Sequence, residues 1–147
     1  MRIFIDQTAW VQVVNKDAPH HQQVVDELNK VLLGGDKLFT HNVAVGLALN
    51  EILEKQGSAV AGKFNEIIDE AHTGTHLNIL WISRRTQKEA ARLLRKKPDA
   101  GLGIFDFAGY ILMRRRRIRT IITTKAAYNS LELKVIPELK KLSLIHI

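Results

Sequence analysis

Three carboxylates of this chain, Asp6, Glu51 and Asp106, stand where the surrounding pattern is apolar or where a strand runs out. Asp6 follows the β-prone run Arg2-Ile3-Phe4-Ile5. On a helix turning about 100° per residue, Glu51 projects among Ala44, Leu47 and Ala48, and Asp106 lies angularly between Tyr110 and Met113. A bare carboxylate on an apolar flank is costly unless a cation satisfies it. Oxygen ligands of this kind suit a hard divalent ion, Mg²⁺ or Mn²⁺, which keeps several of its waters. One such water can serve as a nucleophile while the metal offsets charge on a phosphate.

Each residue also has a simpler explanation. Asp6 can cap a helix or end a strand. Asp106 in a first helical turn complements the helix dipole, worth roughly 0.3–1 kcal/mol with no ligand. Glu51 can be a rim residue, as most helical glutamates are. Singly, these explanations suffice; gathered at one edge, the three favour a site.

The elements that would gather them are legible. In the run 2–5, Ile3-Phe4-Ile5 are apolar without alternation, which suits a strand covered on both faces. A short helix follows, capped by Asp6 or Thr8. Val24, Val25, Leu28, Val31 and Leu32 then recur at helical spacing until Gly34-Gly35. Leu38-Phe39-Thr40 predicts a second strand, 42–56 a helix ending at Gly57, and Ser58 opens another to about Ala71. Residues 77–82 predict a third strand, 86–97 a helix ended by Pro98, 105–116 a helix, 120–123 a fourth strand and 133–136 a fifth. Alternating strands and helices predict a mainly parallel sheet covered on both faces. Ligands of such sheets bind beyond the carboxyl ends of the strands, where Asp6 and Thr123-Thr124-Lys125 fall. No repeat or linker divides the chain, so residues 1–147 are expected to form a single domain.

Composition narrows the chemistry. The absence of cysteine excludes disulfides, thiolate zinc sites and a cysteine nucleophile. The N-terminus is charged too early for a signal peptide and no apolar run reaches membrane-spanning length, so a cytoplasmic protein is expected. Twenty-two Lys and Arg against 15 Asp and Glu give a charge of +7, which favours polyanions such as nucleic acid.

These residues, taken in order, resemble the PIN domain family, which includes the ribonucleases of toxin–antitoxin pairs. Ile3-Phe4-Ile5-Asp6-Gln7-Thr8 is similar to the family's first strand with its aspartate and following hydroxyl residue. Asn50-Glu51 is similar to its helix glutamate, Leu102-Gly103-Ile104-Phe105-Asp106 to its next aspartate, and Thr120-Ile121-Ile122-Thr123-Thr124-Lys125 to its last strand and turn. The resemblance spans nearly the whole chain. It implies a three-layer α/β/α fold with a sheet of four to five strands and Mg²⁺- or Mn²⁺-dependent endoribonuclease activity on RNA. It also implies a homodimer and a small antitoxin partner. By the same resemblance Asp6, Glu51 and Asp106 are metal ligands and catalytic residues, and Thr8 and Thr123 support them by hydrogen bonding.

Two positions depart from the family pattern. Gly103 replaces a frequent serine or threonine, and Lys125 replaces the last aspartate. An ammonium about 6 Å from a divalent ion, at an effective dielectric near 20, is repelled by about 5 kcal/mol. Three arrangements follow: Lys125 serves a one-metal site as a fixed cation, or it marks a degenerate domain that binds nucleic acid or a partner without cutting, or it snorkels outward. The outward course is the commoner one for lysine and is the expectation here. Asp99, as a replacement carboxylate, fits a helix boundary better, and a phosphate-accepting receiver-like domain fits the order of the acids poorly.

Arg114-Arg115-Arg116-Arg117 fits a helix C-terminus, where cations complement the dipole, while Arg84-Arg85 and Arg95-Lys96-Lys97 are candidates for a basic rim. The histidines, His41 among them, show no zinc spacing and read as surface residues. Trp10 and Trp81 read as core or interface residues. The apolar tail, 142–147, suits an edge strand or a dimer contact.

Overall fold

A computed structural model describes residues 1–139; the apolar tail from Leu142 lies outside the described residues. Five short strands, β1 (Arg2–Ile5), β2 (Lys37–His41), β3 (Asn78–Leu80), β4 (Thr120–Ile122) and β5 (Lys134–Ile136), form one sheet in the order β3-β2-β1-β4-β5. Every pairing is parallel. Parallel neighbours need crossover connections, which the helices supply: α1 (Gln7–Val14), α2 (His21–Leu33), α3 (Asn42–Gln56), α4 (Ser58–Thr73), α5 (Arg84–Lys96) and α6 (Ile104–Arg115).

Because successive side chains of a strand point to opposite faces, the apolar strands build two cores. Ile3, Ile5, Leu38 and Ile122 face one side, where they meet Trp10, Val24, Ile52 and Phe64 of the first four helices. Phe4, Phe39 and Ile121 face the other, against Ala90 of α5 and Phe107, Ala108 and Met113 of α6. The result is a three-layer α/β/α fold: the parallel sheet covered on both faces that the alternation of elements predicts, in the layering that the family resemblance implies.

The predicted strands of 77–82 and 120–123 are shorter than read, because pairing stops at Leu80 and Ile122. The 3₁₀ segment Ala126–Leu131 is not evident in the sequence. Two readings of aromatic residues are corrected. Trp10 is buried, its indole N–H donating to Thr40 Oγ1 at 3.1 Å, but Trp81 is 71% exposed and belongs to no core. His41 is a buried N-cap of α3, its Nδ1 accepting from the Ala44 N–H at 2.8 Å. Among the described residues no helix is long and apolar enough to cross a membrane.

Candidate active site at the carboxyl edge of the sheet

Register explains why residues 117 positions apart meet. Ile5 of β1 pairs with Ile122 of β4, so Asp6 and Thr123, the next residues of each segment, leave adjacent strands side by side. Asp6 is extended and caps α1, its Oδ1 accepting from the Ala9 N–H at 3.1 Å. Thr8 Oγ1 donates to the same oxygen at 2.7 Å, and Thr123 Oγ1 donates to Oδ2 at 2.6 Å. The Thr124 N–H donates to Thr8 Oγ1 (2.9 Å) and the Lys125 N–H to Thr123 Oγ1 (3.0 Å), so backbone donors aim both hydroxyls at the carboxylate. Thr8 and Thr123 thus stand where a supporting role would need them.

Asp106 reaches the same edge from α6. It is the third residue of the helix, and its Oδ2 accepts from the Gly103 N–H at 2.9 Å, a capping arrangement that needs only the backbone of Gly103. Lys125 Nζ lies 2.7 Å from that oxygen, and the Tyr128 hydroxyl donates to Oδ1 at 2.9 Å. Gln7 Nε2 adds a longer contact to Oδ1 at 3.4 Å. The outward course expected for Lys125 is therefore corrected: its ammonium turns inward, because Asp106 is 4% exposed and needs a cationic partner. Tyr128 is a site residue that sequence reasoning misses. Its spacing three residues after Lys125 becomes a signal only once that stretch is 3₁₀, where positions three apart eclipse.

Glu51 stands apart. It is 44% exposed and pairs with Lys55 at 3.4 Å on its own helix, and the flank that reads as apolar contains an exposed Leu47. It does line a cavity of about 350 Å³ with Gln7, Thr8 and Thr124. Among the described residues, no three His, Cys, Asp or Glu side chains come together closely enough to hold a metal ion. Asp99 is an exposed loop residue.

The electrostatics follow from burial. Loss of hydration pushes the Asp6 carboxyl up to about 6, against the pull of the Thr123, Thr8 and Ala9 hydrogen bonds, with the Asp106 charge adding to the rise. Burial acts on Asp106 in the same direction but is outweighed by the Lys125 and Gly103 hydrogen bonds and the lysine charge, which hold it below the ordinary carboxylate range. Burial raises the Tyr128 phenol well above its usual range, helped by the charges of Asp6 and Asp106, so it remains a donor. His41 is held down at about 4 by burial. Its neutral ring accepts at Nδ1, which leaves the proton on Nε2.

This donor set does not fit a divalent metal. A metal ligand must offer free lone pairs, yet both oxygens of Asp106 already accept, Oδ2 from an ammonium and a backbone amide. Asp6 retains acceptor capacity, but the carboxylate that acts on it, Asp106, is the one already engaged by Lys125.

No protein-family profile matches the sequence, and no curated protein does. Solved structures match its fold. The chain is similar to the VapC20 toxin of Mycobacterium tuberculosis, which cleaves the sarcin–ricin loop, at 14% identity and a TM-score of 0.76, covering 89% of this chain and 95% of that one. It is similar to VapBC2 from Rickettsia felis, solved bound to a promoter DNA fragment, at 13% identity and 0.66, covering 92% and 97%. It is also similar to FitAcB from Neisseria gonorrhoeae at 11% and 0.65, covering 92% and 96%. At such identities the likeness establishes the PIN-like fold.

Proposed function

We propose that this chain is a toxin-type PIN-like domain that engages RNA without cutting it, its acidic site closed by its own lysine. One observation carries this reading: the 2.7 Å contact between Lys125 Nζ and Asp106 Oδ2. A divalent ion about 4 Å from that ammonium, at an effective dielectric near 20, would be repelled by about 8 kcal/mol. Entry of a metal therefore requires the lysine to leave and its ion pair with Asp106 to break. The fold shared with VapC20 and the basic charge of the chain support RNA as the ligand. The likeness to VapBC2 supports a small protein partner, and the family resemblance supports a homodimeric state.

The second reading is the divalent-metal-dependent endoribonuclease with Asp6, Glu51 and Asp106 as ligands of Mg²⁺ or Mn²⁺. It is favoured by Glu51 lining a cavity with Thr8, the residue that holds Asp6. Calorimetric titration with Mn²⁺ and incubation with structured RNA separate the two. Wild type should take up little Mn²⁺ and leave RNA intact, whereas Lys125→Asp should bind Mn²⁺. Wild-type cleavage that requires Mn²⁺ and disappears in Asp6→Asn would overturn the silent-domain reading in favour of the nuclease.

A further inference from the structure

Helix α5 carries six cations and one acid in thirteen residues. Placed at about 100° per residue, Arg84, Lys88, Arg92, Arg95, Arg85 and Lys96 all fall within an arc of about 120°. All six are exposed, while Thr86 and Ala90 on the opposite side are buried. The stripe runs about 18 Å at the helical rise.

Helix energetics accounts for only part of this arrangement: Arg95 and Lys96 complement the dipole in the last turn, but the rest of the row does not. Lys88 follows Arg84 at i+4, and Arg92 and Lys96 continue the row, so like charges stand one turn apart where alternating signs would stabilise. Arg84 and Arg85 also occupy the first turn, at the positive end of the helix dipole. The one acid, Glu89, is taken by Arg115 of α6 at 2.7 Å, with Arg85 further off at 3.8 Å. A groove of about 530 Å³ between α5 and α6 is lined by Arg92 and Lys96 on one side and Arg114 and Arg115 on the other, with Glu89, paired to Arg115, as its one acid. Trp81, 71% exposed, lies two residues before the N-cap Ser83.

We propose that the basic face of α5, with the α5–α6 groove and Trp81 at its N-terminal end, binds the phosphate backbone of single-stranded RNA and stacks one unpaired base. A row of self-repelling cations is relieved by a polyanion, and an indole exposed beside it offers a face that any base can use. The surface lies on α5 and on the last turn of α6, at the other end of that helix from Asp106. Only the choice of RNA over DNA rests on the function proposed above.

The test is fluorescence anisotropy of labelled oligouridine on the full chain at several salt concentrations, with oligothymidine and a duplex of equal length alongside. Oligouridine should bind most tightly, with a slope of log affinity on log salt of about −0.7 per phosphate neutralised. Arg92→Gln combined with Arg95→Gln should flatten that slope by about 1.4 and weaken binding at low salt at least tenfold. Trp81→Ala should weaken it by about 5- to 150-fold and leave the slope unchanged. Trp10 is buried, so quenching of intrinsic fluorescence on binding should vanish in Trp81→Phe. An unchanged salt slope in the double variant would overturn the proposal, as would displacement of the oligonucleotide by poly-glutamate at equal charge, which would make the partner an acidic protein. Tighter binding of oligothymidine would overturn the choice of RNA. The closed-site reading is tested by Mn²⁺ uptake and RNA cleavage and this surface by the salt slope of oligouridine binding, so failure here and failure of that reading are told apart.

Discussion

Replacing Asp6 by asparagine should make the protein more stable, not less. The Asp6 carboxyl is buried, and its folded pKa stands at about 6 against an ordinary value of 3.8. At about 1.4 kcal/mol per unit, ionised Asp6 therefore weighs against folding by about 3 kcal/mol above that range. The sign is fixed by proton uptake: between the two pKa values the folded chain holds more protons than the unfolded one, so stability falls as pH rises from about 4 to about 6. Asparagine removes that slope and keeps the geometry. It caps helices as well as aspartate does, so the Ala9 N–H keeps an acceptor. Thr8 and Thr123, 3.1 Å apart, can divide their hydroxyls, one donating to the amide oxygen and the other accepting from its nitrogen. Urea denaturation of both proteins from pH 4 to pH 8 should give curves that meet near pH 4 and diverge by about 1–3 kcal/mol in favour of Asp6→Asn above pH 6.5. Parallel pH profiles, or a variant less stable at pH 8, would refute the claim that burial dominates this carboxylate.

Removing the lysine should act in the opposite sense. Lys125→Met leaves buried Asp106 without its cation; allowing for the 35% exposure of the lysine, thermal or urea unfolding should show a loss of about 1–3 kcal/mol at pH 7. Because Asp106 is held below its ordinary range, its stabilising contribution is full above about pH 4 and is lost as pH falls further, so the variant should approach wild type only in acid. Thr123→Val withdraws a donor from Asp6 and raises its folded pKa further, so in the same denaturation series the fall in stability should still begin near pH 4 but end at a higher pH. A methyl at Gly109 would stand 3.1 Å from His41 Nε2 and 3.8 Å from Phe4, and His41 is pinned through Nδ1. Gly109→Ala should therefore lose about 1 kcal/mol by unfolding, overpacking outweighing the helix propensity it gains.

Much of the frame is legible in the chain itself. Apolar runs within 2–5 and 120–122, helical periodicity between them and glycine at 34–35 and 57 dictate alternating strands and helices, because buried parallel strands and amphipathic helices leave different spacings. The positions of Asp6 and Asp106 at the carboxyl edge are legible for the same reason, since strand ends and first helical turns follow from element boundaries. Side-chain direction is not. Whether Lys125 faces solvent or Asp106 depends on a carboxylate nineteen residues away, and no local pattern records that a buried charge lacks a partner. His41, Tyr128 and Trp81 escape sequence reasoning because burial is a property of the packed layers. Spacing along α5 already holds its basic stripe, but only the docking of Thr86 and Ala90 against the rest of the fold fixes which way those cations point. Sequence sets the elements through local geometry; tertiary packing decides the charges, because desolvation and pairing act only once distant segments meet.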